Sequence, residues 1–135
     1  MNVLEKLLKA DAAKADETQT KVVMSNRLAQ CLGEEGPLPV TIRALTAREV
    51  QDVNIFSSDE KGANVPSRNL DACLLACEKG IVEPDVRDKA LADHYGVRGA
   101  GRVVEKIFQM EAVSIATEIM TLSGTDLDLG TEIKN

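Results

Sequence analysis

The sequence predicts an α+β domain, mostly α-helical, in which a small N-terminal antiparallel β-hairpin or sheet is followed by a bundle of short helices. Three observations carry this. The chain of 135 residues is about one domain's worth, long enough for a hydrophobic core and too short for two. With no Trp, one Tyr and two Phe, that core must be built from Leu, Ile, Val, Ala and Met, a usage that suits helix packing better than a β-sandwich. Alternating apolar and polar residues are confined to the N-terminal third, while apolar residues elsewhere recur at helical spacing.

In Met1 to Ala10, Val3, Leu4, Leu7 and Leu8 fall on one helical face and Glu5, Lys6 and Lys9 on the other, which predicts a short amphipathic helix. Polar Asp11 to Gln19 ends it. Thr20 to Ser25 is rich in β-branched residues and reads as a strand, and Leu38 to Leu45 alternates as a second strand to pair with it. Between them, Leu28, Cys31 and Leu32 suggest one or two helical turns closed by Gly33, with Gly36-Pro37 as the return turn. Thr46-Ala47-Arg48-Glu49 has the form of a capping box, in which the Thr46 hydroxyl accepts the Glu49 amide proton and the Glu49 carboxylate accepts that of Thr46. A helix should start there and end near Phe56.

Ser57 to Ser67, made of Ser, Asp, Lys, Gly, Asn and Pro, reads as a mobile loop. Leu70, Cys73, Leu74 and Cys77 then mark one helix stripe, with Gly80 as its expected left-handed cap. Asp85 or Asp88 caps a short helix ending at Tyr95 before Gly96, and two more helices follow over Gly99 to Phe108 and Glu111 to Leu122, the latter stopped by Gly124. The expected domain spans residues 1–124. Residues 125–135 form an acidic tail without helical periodicity, predicted to be disordered in isolation.

The charge of −6 disfavours nucleic acid and anionic membranes as partners, and the apolar runs are far below the roughly 20 residues that a bilayer requires. A soluble cytoplasmic protein is expected. Cys31, Cys73, Cys77 and His94 could supply a Cys3His zinc set, but the ligand spacing is loose, and Cys73 and Cys77 read better as small apolar residues on a buried stripe. His94 reads as a helix C-terminal histidine interacting with the helix dipole rather than a catalytic base. Gly96 to Gly101, with Arg98 and Arg102, could hold an anion at a helix start but lacks the preceding strand of a dinucleotide site. Glu34-Glu35 and Asp59-Glu60 lack the spacing of a calcium loop. The residues thus predict no catalytic group, no cofactor and no metal.

Leu4 to Asp11, the run Ile42 to Glu49, the segment Gly80 to Asp85, and Val103 to Ile107 running on to Ile119 to Gly124 occur in an order that resembles the XkdN-like family of phage tail assembly chaperones. The likeness covers about residues 2–124 and rests on collinearity, since each piece alone is unspecific. The resemblance implies a non-enzymatic protein of a tailed phage or prophage, made in the host cytoplasm and absent from the mature virion. It implies the tape measure protein and the tail tube protein as partners, and a frameshifted longer form of the chain as a further one. A structural minor tail or connector protein retained in the virion, and a small ligand-binding or metal-binding regulator, are the alternatives. A chaperone of this kind needs exposed apolar surface on a soluble body. The last helix is the expected place: Ile115, Ile119 and Leu122 lie on its apolar stripe, while Val113 and Met120 widen the stripe and Met120 suits adaptable packing.

Overall fold

The computed structural model describes residues 2–125. The chain runs through α1 (Val3–Lys9), a 3-10 helix (Ala12–Asp16), β1 (Thr20–Ser25), α2 (Asn26–Leu32), β2 (Leu38–Arg43) and α3 (Ala47–Phe56). A second 3-10 turn (Pro66–Arg68) leads into α4 (Asn69–Gly80), followed by β3 (Ile81–Glu83), α5 (Lys89–Tyr95), α6 (Ala100–Phe108) and α7 (Glu111–Leu122). The predicted α+β class and most helix limits therefore hold. The expected acidic tail lies, beyond Thr125, outside the described residues.

The three strands form one antiparallel sheet in the order β1-β2-β3. β1 and β2 pair from Thr20 with Arg43 to Ser25 with Leu38, joined through α2. Ser25 starts that helix by accepting the Leu28 amide proton at 3.0 Å, and Gly33, at φ 67°, ends it in the left-handed conformation that lacks a Cβ penalty. The expectation of a sheet confined to the N-terminal third is corrected by β3, which pairs Ile81 with Ile42 and Glu83 with Thr41 around a bulge. Three residues are too few to show a period of two, and β3 is a strand because Ile81 docks beside Ile42 in the core.

One face of the sheet carries Val40, Ile42 and Ile81 into a core completed by α4, α6 and α7. α4 and α7 pack closely because the residues between them are small: Ala76, Cys77, Ala112 and Ala116 are fully buried, and the Cys77 thiol donates to the Ala112 carbonyl at 3.3 Å. Gly80 belongs to this contact. It is the last residue of α4 rather than a left-handed cap, and a Cβ there would lie 2.7 Å from Ile119 Cδ1 and 2.8 Å from Cγ2. Its absence lets Ile119 close against the end of α4.

The capping box at Thr46 is present in both directions, at 3.2 Å from the Glu49 amide to Thr46 Oγ1 and 2.9 Å from the Thr46 amide to Glu49 Oε1. The same carboxylate receives both terminal nitrogens of Arg43, at 3.0 and 2.8 Å, so one side chain starts α3 and fastens it to the end of β2. The stretch after α3, expected as a mobile loop, is tied together by local hydrogen bonds. Ser58 and Asn64 form a bridge, Asp59 Oδ1 accepts the amide protons of Lys61 and Ala63 at 2.9 Å, and Arg68 donates to the Ser58 carbonyl.

Candidate functional site

α7 is fastened to the sheet along its length. The Glu111 carboxylate accepts from the buried Ser25 hydroxyl and from the Asn26 amide, Glu118 pairs with Lys21 at 2.7 Å, and the Ser123 hydroxyl accepts the Leu45 amide proton at 2.7 Å. Between those ties the apolar residues of α7 are enclosed by α4 and the sheet. Ile115, Ile119 and Met120 are buried, Met120 to 1 % exposure, while Val113 and Leu122 are half-buried against the same core. Met120 is therefore core rather than part of the open flank expected there, while Val113 keeps part of its surface exposed: a helix held between two layers is apolar over more of its circumference than a surface helix.

The candidate ligand sets are dispersed. Cys73 and Cys77 lie buried on α4, Cys31 is exposed on α2, and His94 is exposed on α5 with its ring edge-on to Tyr95 at 5.0 Å. Burial pushes the Cys73 and Cys77 thiols above the usual thiol range, with the neighbouring Cys73 adding to the effect at Cys77. No cluster of three or more His, Cys, Asp or Glu side chains suited to a metal ion is assembled among the described residues. At the start of α6, Gly99 takes φ 88°, but Arg98 and Arg102 share their depression with Asp71 and Glu78, and Arg102 is engaged by Glu105 at 2.7 Å. Those carboxylates offset the positive charge an anion would need.

Uncovered apolar surface lies elsewhere. A groove of about 830 Å³ runs between α3 and the Ser57–Ser67 segment, with Ala47, Val50 and Ile55 along it and Gln51, Asn54 and Arg68 at its sides. Ile55 is 62 % exposed, and Phe56 beside it is also exposed. The sequence marks these two only as the end of a helix. The signal that singles them out is that α3 has a single buried residue, Val53, so the apolar side chains at its far end lie outside the core.

A second uncovered surface is α1. Residues 2–22 are exposed throughout, and Val3, Leu4, Leu7 and Leu8 form the predicted amphipathic face but touch no core. Among the described residues, no helix is long and apolar enough to cross a membrane.

The described domain thus leaves one apolar groove and one amphipathic helix uncovered. The Phage XkdN-like tail assembly chaperone protein family matches residues 4–134, and the chain belongs to that family. Among solved structures, the crystal structure of the protein yqbn superposes with a TM-score of 0.56 at 13 % sequence identity, over 80 % of this chain and 88 % of that one. That likeness is one of fold. The comparison with curated proteins found no match.

Proposed function

We propose that this chain is a non-enzymatic chaperone of long-tail assembly that acts in the host cytoplasm, holds the tape measure protein soluble and recruits tail tube subunits to it. Membership in the tail assembly chaperone family supports the general role. The observation that carries the docking step is the α3 groove, whose apolar floor at Ala47, Val50 and Ile55 is flanked by polar side chains. An amphipathic helix of the tape measure protein places its apolar stripe on Ile55 and Val50, and Gln51, Asn54 and Arg68 meet its polar flanks. The acidic body, at −6, keeps loaded complexes apart by mutual repulsion. A frameshifted longer form would carry the same groove and could join the same complex.

The test is co-expression with the tape measure protein followed by capture and measurement of the soluble fraction. Ile55→Asp should leave the melting temperature nearly unchanged, because Ile55 is on the surface, and should reduce capture at least tenfold. Unimpaired capture by the folded variant would remove the groove from the reading. Stoichiometric presence of the chain in purified virions would favour a structural tail component instead.

A further inference from the structure

Two apolar surfaces are uncovered in the same molecule, one on α1 and one on the sheet. α1 presents Val3, Leu4, Leu7 and Leu8, each between 63 and 77 % exposed. The sheet is covered by helices on one face only. On the other, Val22 and Met24 of β1 and Val82 of β3 are between 44 and 56 % exposed, with Thr41 and Pro39 of β2 lying opposite Val22 and Met24.

A helix stripe and a half-apolar sheet face are the two kinds of surface that small domains bury against each other. The dimensions agree. Seven helical residues span about 10 Å, which is about two strand spacings, the distance from β1 across β2 to β3.

We infer that α1 of one copy packs across the outer sheet face of a second copy, in a reciprocal two-fold exchange of N-terminal arms. Three observations select a second copy as the occupant. Among the described residues the arm reaches nothing on its own body: α1 and its own sheet face are both exposed, as are the connecting residues 10–19. A seven-residue helix without tertiary contact is shorter than the roughly 12–15 residues an isolated helix needs in water, so its Asn2–Glu5 capping box and apolar stripe require a docking surface. A single arm on a single sheet would bury too little for a stable complex, whereas two such contacts offer on the order of 1,500 Å² in total, the size class of a specific interface. This surface is separate from the α3 groove, so a dimer leaves both grooves open.

Sedimentation of the full chain without any phage partner tests the exchange. At about 50 μM the wild type should have twice the monomer mass. Leu7→Glu on the arm and Met24→Glu on the sheet should each be monomeric and still unfold in a cooperative thermal transition, because both residues are exposed in the monomer. Mixing the two variants leaves one intact arm against one intact sheet face, too little for a stable complex, so the mixture should stay monomeric at this concentration. A monomeric wild type at that concentration would overturn the inference, as would a Met24→Glu variant that still dimerises, which would mean that arms pair with arms. A mixture that dimerises as tightly as wild type would overturn the reciprocal geometry.

Discussion

Replacing Glu49 by glutamine isolates one charge at the corner where β2 turns into α3. The amide oxygen of the new side chain can still accept the Thr46 amide proton, so the capping box survives, but the ionic pair with Arg43 is lost. The paired hydrogen bonds from Arg43 hold the Glu49 carboxyl at about 2, down from 4.5. Partial burial opposes this, and the Thr46 amide with the charges of Arg43 and Lys79 adds to it. In full, that displacement corresponds to about 3 kcal/mol. The two side chains remain 23 and 24 % exposed, so water and salt screen the pair and about 1–2 kcal/mol is expected. The sign follows from a carboxyl that is more acidic when folded: the contribution is complete above about pH 5 and fades as the pH falls towards 2. Urea melts of wild type and Glu49→Gln from pH 7 to pH 2.5 should thus show a gap of about 1–2 kcal/mol at neutral pH that narrows in acid. Equal midpoints at pH 7, or a gap that does not change with pH, would refute the assignment of stability to this pair.

Thr46→Ala, which removes the hydroxyl at the start of α3, should cost about 0.5–2 kcal/mol in the same melts, and no loss would show that α3 does not depend on its cap. Gly80→Ala should cost about 1–3 kcal/mol, because its methyl meets Ile119, and adding Ile119→Val should recover part of that; a neutral Gly80→Ala would mean that α4 and α7 are not closely packed. In thiol titration at pH 8, Cys31 should react at once and Cys73 and Cys77 only after unfolding, because the latter two are buried; three equally fast thiols would contradict the packing of α4. Met120→Glu should destabilise the whole domain rather than remove partner capture selectively, by about 3 kcal/mol or more, since it places a carboxylate in the core; a stable, folded variant would return α7 to the list of docking surfaces.

The elements that could be read in advance are those whose signals are local. Thr46 and Glu49 are three residues apart, and their reciprocal hydrogen bonds form in the structure as the spacing implies. Gly33 and Gly96 end helices with positive φ because the left-handed turn is a property of a few consecutive residues. The exposed apolar surfaces were harder to read. Hydrophobic periodicity identifies the apolar face of α1 and of α7 equally well, yet α1 is bare and α7 is enclosed. The hydrogen-bonded turn after α3 was obscured by its composition. Ser, Asp, Gly and Asn suit both a network of turn hydrogen bonds and an open segment, and here Asp59 and Arg68 make such a network.

By itself, the sequence determined the α+β class, the helix starts and stops, and the collinear pattern shared with its family, because each depends on residues a few positions apart or on their order along the chain. Only the tertiary structure decided which apolar stripe is core. That choice rests on ties between distant segments, such as Glu111 to Ser25 and Ser123 to Leu45, which lie 86 and 78 residues apart and draw α7 against the sheet, while among the described residues nothing draws α1 in. It also made a strand of Ile81–Glu83 and gave Gly80 its role, because a three-residue strand needs a neighbour to pair with and a missing methyl matters only where another helix has come close enough to fill its place.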